Sequence, residues 1–80
     1  MRPPERIDEI NNLLRQVWKR YPDMRFMQLI HMLQSLYSGE NNGKGRIQEV
    51  DKDGFVKVGY DLFYLEDTQL KEFLERFLSK

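Results

Sequence analysis

Arg46-Ile47-Gln48-Glu49-Val50-Asp51-Lys52-Asp53-Gly54-Phe55-Val56-Lys57-Val58-Gly59-Tyr60 decides the fold class. The Asp53-Gly54 pair favours left-handed turn geometry, which places a tight turn at 51–54. After it, Val56, Val58 and Tyr60 alternate with Lys57 and Gly59, the period of a half-buried strand. Arg46 to Val50 is a weaker strand on the other side of the turn. Residues 46–60 therefore read as a β-hairpin in a chain whose remaining segments carry the helical period. A lone hairpin is marginal in water, so this one must pack on helices.

Two helices precede the hairpin. The first is expected from Pro4 to about Arg20, with proline in the first turn, where its missing N–H costs nothing. Ile7, Ile10, Leu13, Leu14, Val17, Trp18 and Tyr21 recur at three- and four-residue steps and mark one apolar stripe. Pro22 ends it, because the residue before a proline avoids helical geometry. Asp23 then offers an N-cap for a second helix running to about Tyr37 and stopping at Ser38-Gly39. Phe26, Leu29, Ile30, Leu33, Leu36 and Tyr37 form its main apolar face. At 100° per residue, Met24, Met27 and His31 lie on roughly the opposite side. Ser38 to Gly45, with three glycines and two asparagines, reads as a flexible loop.

A third helix follows Glu66-Asp67-Thr68, capped by Asp67 or Thr68. Leu70, Phe73, Leu74, Phe77 and Leu78 make its stripe. Lys71–Glu75 and Glu72–Arg76 are opposite charges at four-residue spacing, suited to an exposed outer face. The fold class is thus α+β: one domain of three helices, with a hairpin inserted between the second and third. Its expected core is Ile10, Leu14, Trp18, Leu29, Ile30, Leu33, Phe73, Leu74 and Phe77.

Eighty residues allow one core, and a chain this short buries roughly 60% of its unfolded surface. Without cysteine, neither disulfides nor thiolate metal sites contribute. No apolar run approaches a membrane span, and the start of the chain leads into an amphipathic helix and not an apolar signal core, so a cytoplasmic protein is expected. The 13 cations balance the 13 acids, but unevenly. Residues 1–46 hold eight Lys/Arg and five Asp/Glu (+3), and residues 47–80 hold five and eight (−3). The bland reading is surface scatter with helix-dipole matching; the sharper one is a bipolar molecule with an acidic face for a basic partner.

The chain carries few residues arranged for chemistry. If Gly54 is the sixth position of a calcium loop, Glu49, Asp51 and Asp53 fall at one, three and five. Position twelve is then Tyr60, where a bidentate glutamate is required. An ordinary acidic turn is the expectation. His31 is the sole histidine and has no acid or cysteine one turn away along its helix, so it reads as a partly exposed helix residue. The three serines lack a nucleophile elbow, and the glycines of 39–45 do not form a phosphate loop. No catalytic residue, cofactor or metal is expected. For nucleic acid, Arg15, Lys19, Arg20 and Arg25 can cluster near Trp18 and Tyr21, but a neutral chain is a poor polyanion binder. Methionine adapts to irregular surfaces, so Met24, Met27 and His31 are candidate protein contacts if nothing in the fold covers them. In that case they form a docking site or a homodimer seam, and Glu49, Asp51 and Asp53 are the acidic candidates.

Trp18-Lys19, then Tyr21-Pro22-Asp23, Arg25 and Gln28-Leu29-Ile30 resemble a pattern in small uncharacterised bacterial and phage proteins. Asp61-Leu62-Phe63-Tyr64-Leu65-Glu66-Asp67, with Leu70 after it, is similar to a phrase in their C-terminal part. The pattern is more distantly similar to the YihD-like domain of unknown function. It covers about residues 5–36 and 60–74. The resemblance implies a small helical protein of a bacterium or its phage and carries no assigned activity. Together these readings point to a non-enzymatic interaction protein that modulates a host protein. The alternative is a small nucleic-acid-binding regulator.

Overall fold

The computed structural model describes residues 2–80. Its elements are α1 (Glu5–Arg20), α2 (Phe26–Glu40), β1 (Arg46–Val50), β2 (Val56–Tyr60) and α3 (Asp67–Leu78). The fold is the α+β arrangement expected, three helices with a two-stranded antiparallel hairpin between α2 and α3. No helix among the described residues is long and apolar enough to cross a membrane. The chain forms two compact units: residues up to Phe26 together with Tyr64–Lys80, and Met27–Phe63.

In the first unit α1 and α3 pack side by side and run parallel. Near their N-terminal ends Arg2 pairs with Glu66 at 3.0 Å and Arg6 with Asp67 at 2.6 Å. One turn on, Lys71 meets Glu9 at 2.6 Å. At the other end the Arg20 guanidinium donates to the carbonyls of Leu78 (2.7 Å) and Phe77 (3.4 Å). A cation there supplies partners for carbonyls that the helix itself leaves unpaired, and complements the negative end of its dipole. Val17, Phe73 and Leu74 are the buried side chains of this unit.

Three details correct the sequence reading. Trp18 was expected in the core, but Val17 is fully buried and Trp18 is 37% exposed. Adjacent helix positions point 100° apart, so only one can occupy the seam centre. The indole N–H also needs an acceptor, which it finds outside the seam. The residue before α3 is Glu66, with no side-chain cap bond, so neither Asp67 nor Thr68 is the cap. Lys71 lies 3.9 Å from Glu75 but is closer to Glu9, so it belongs to the α1 seam and not to an outer face.

In the second unit Leu29, Leu33, Tyr37 and Ser38 are buried on α2. The helix does not stop at Ser38-Gly39 but continues to Glu40. Its end is set by Asn42, in left-handed geometry at φ 59°, while the Gly43 N–H donates to the Ser38 carbonyl at 2.7 Å. That is a Schellman closure with asparagine in the position usually held by glycine. The hairpin pairs Arg46 with Tyr60 through to Val50 with Val56. Its turn is wider by one residue than Asp-Gly alone implies: the Gly54 N–H donates to the Asp51 carbonyl at 3.1 Å, and Gly54 takes φ 82° before Phe55 closes the ladder. This is a three-residue loop with a glycine bulge. At the hairpin's base the Asp61 N–H donates to the Gly45 carbonyl at 2.7 Å, and Gly45 sits at φ 81°.

Candidate groove at the first corner

Trp18 lies on the last turn of α1, where the chain must reverse before α2. Pro22 suits the second position of that turn, and the Met24 N–H closes it on the Tyr21 carbonyl at 3.0 Å. The turn carries the Met24 carbonyl back to the indole, and Trp18 Nε1 donates to it at 2.7 Å. Phe26 follows and packs on Trp18 with ring centroids 5.3 Å apart and planes tilted by 46°. Asn11, Leu14, Arg15, Trp18, Lys19, Pro22 and Phe26 thereby line an open groove of about 550 Å³. Its floor is apolar, and Arg15 and Lys19 stand on its rim one helical turn apart, on the order of 6 Å. Neither cation enters an ion pair or hydrogen bond among the described residues.

The sequence candidates distribute as follows. Of the four basic residues near the corner, Arg15 and Lys19 share the groove, whereas Arg20 is turned to the end of α3 and stands 5.8 Å over the Phe77 ring. Arg25 immediately precedes α2 and is exposed. Met24, Met27 and His31 do not form one helical ridge. Met24 precedes α2 and is half-buried, so the 100° rule does not apply to it. Met27 is 71% exposed. His31 is edge-on to Tyr60 with centroids at 5.4 Å, and the Tyr60 hydroxyl donates to Ser35 Oγ at 3.1 Å. Those contacts are how the hairpin rests on α2.

The acidic candidates also separate. One Asp51 carboxylate oxygen accepts from the Asp53 and Phe55 N–H groups, each at 2.9 Å, which gives it a turn-closing role. Glu49 sits opposite Lys57 in the ladder, and Asp53 is exposed on the turn. Among the described residues no three His, Asp or Glu side chains gather where they could hold a metal. The Lys71 pKa departs from its ordinary value. It is raised, first by its hydrogen bond to Glu9 and then by that carboxylate's charge.

Two exposed aromatic features escaped the sequence reading. Phe63 and Tyr64, just before α3, are 83% and 89% exposed. At the hairpin tip Val50, Phe55 and Val56 are exposed although Val58 and Tyr60 on the same strand are half-buried. A usable signal for the groove was present: Trp18 and Phe26 flank a proline turn, with Arg15 and Lys19 one helical turn apart on the helix before it. Against protein-family models, curated proteins and solved structures, the chain finds no match.

Proposed function

We propose that this chain is a small, non-enzymatic protein-interaction module of the bacterial cytoplasm, encoded by a bacterium or its phage, that modulates another protein. The observation that carries the reading is the groove at the first corner: an apolar, solvent-open trough with two uncompensated cations on its rim. Small-molecule sites enclose most of their ligand, which an open trough of this kind does not. Its shape suits a side chain presented by a larger partner, and Trp with neighbouring Arg is the composition typical of interface hot spots. A structural role for His31 against Tyr60, and for Asp51 within the hairpin turn, supports a non-enzymatic assignment. The origin rests on the resemblance to small bacterial and phage proteins.

Photo-crosslinking in cells tests this reading. A crosslinking residue placed at Lys19 on the groove rim is expected to yield a protein adduct that the same residue at Glu72, on α3, does not. Identical adducts from both positions, or none from Lys19, would remove the proposal. The alternative, a nucleic-acid-binding regulator, is favoured by one observation only, the proximity of Arg15 and Lys19 to Trp18. With Arg20 engaged at the end of α3, two rim cations remain for phosphates.

A further inference from the structure

We infer that the groove takes an acidic, apolar segment of another protein, with a bulky apolar side chain against Leu14, Trp18 and Phe26 and two carboxylates reaching Arg15 and Lys19. This rests on the interaction reading above and names the chemistry of the partner.

Charge complementarity carries the argument. In the first unit Arg2, Arg6 and Lys71 each hold a carboxylate, and Arg20 holds two helix-end carbonyls. Arg15 and Lys19, beside the apolar floor, hold none among the described residues. Covering that floor removes apolar surface from water, which is worth about 25 cal/mol per Å². Covering it with a neutral or basic segment would strip solvent from the two cations without a counter-charge, and desolvated charge is costly unless paired. The occupant therefore brings both apolar surface and negative charge. Arg15 and Lys19 stand one helical turn apart, so two acids one helical turn apart, or two residues apart along a strand, can reach both cations.

A nucleic-acid strand fits less well. The indole N–H is already committed to the Met24 carbonyl, and the Trp18 ring is packed against Phe26. Two phosphate contacts on a single strand would give a salt dependence of only about sevenfold between about 50 and 200 mM, far below that of proteins that live on nucleic acid.

Panning an unbiased peptide display library against the whole chain tests the inference. Enriched peptides are expected to pair a leucine or aromatic residue with two acids. A synthetic consensus peptide, made without tryptophan, should shift the fluorescence of Trp18, the only tryptophan. Arg15→Glu combined with Lys19→Glu should weaken binding by about tenfold or more, whereas Lys52→Glu with Lys57→Glu should not. Panning the charge-reversed variant should return basic peptides instead. Because a variant can lose its fold, backbone amide shifts of the wild type on adding the peptide provide a second readout, expected to centre on residues 11–26.

Neutral or basic peptides enriched on the wild type, or shifts centred elsewhere, would overturn the inference while leaving an interaction module standing. No enriched peptide together with no adduct at Lys19 would overturn both. Saturable binding of a mixed-sequence oligonucleotide, lost in the charge-reversed variant, would overturn it in favour of nucleic acid. Self-association of the wild type by light scattering, lost in that same variant, would make the occupant a second copy and overturn assignment to another protein.

Discussion

The stretches 17–23 and 61–67 look alike in sequence, each with two aromatics running into one or two acids, yet they fold differently. At the first, the proline turn brings a carbonyl and the Phe26 ring to the indole, so Trp18 and Phe26 line a groove, while Tyr21 packs towards Phe77. At the second, the Asp61 carboxylate accepts from the Phe63 N–H at 3.2 Å and shapes the backbone, while the Phe63 and Tyr64 rings stay exposed. Aromatic content therefore does not decide burial at a corner. What decides it is whether the turn returns a backbone acceptor and an apolar neighbour to the ring.

The strongest way to break the second corner is at its anchor. A Cβ on Gly45 would lie 2.6 Å from Leu62 Cδ2 and 2.8 Å from the Asp61 carbonyl oxygen, at a φ that side chains rarely adopt. Gly45→Ala is expected to destabilise by about 3 kcal/mol, read as a lower denaturant midpoint. At the first corner Val17→Ala should cost about 2 kcal/mol, because it opens a void in a fully buried site. Trp18→Phe should cost less, about 1 kcal/mol, since it keeps an aromatic side chain at a partly exposed position and removes one hydrogen bond. If Trp18→Phe proved the more damaging of the two, Trp18 and not Val17 would be the centre of the seam. Phe63→Ser and Tyr64→Ser should each move stability by no more than about 0.5 kcal/mol, in line with exposed positions. The smallest effect concerns the tie between α1 and α3. The Lys71 pKa is raised in the folded state above its ordinary 10.5, so the stability it contributes is complete below that pH and declines as pH rises through the folded value. The midpoint difference between wild type and Glu9→Gln should accordingly be constant at neutral pH and shrink above pH 10.5.

Element types were legible because each carries its own period. The stripe of α3 and the alternation at 56–60 leave no competing reading, and the Asp53-Gly54 pair set the hairpin register to within one residue. The end of α2 was not legible, because two stop signals follow one another. Gly39 is tolerated within the last turn, while Asn42-Gly43 supplies the left-handed residue. The choice between Val17 and Trp18 was hidden for a similar reason. Both satisfy the three-and-four spacing, and only the tertiary acceptor for the indole separates them. The basic half of the groove was visible as Arg15 and Lys19, but its floor was not, since Leu14 and Phe26 read as core positions on their own helices. The Met24, Met27 and His31 ridge assumed one continuous helix, and the late start of α2 breaks that assumption.

The parallel alignment of α1 and α3 has a consequence during synthesis. Residues 21–66, 46 in all, separate the two helices. At about 5–20 residues per second, α1 leaves the ribosome roughly 2–10 s before α3 exists. In that interval the segment 27–63, whose hairpin and α2 contacts are close in sequence, can complete itself. The stripe of Ile10, Leu14 and Val17 meanwhile waits without its partner, and this segment of the nascent chain is most exposed to chaperones and proteases at α1.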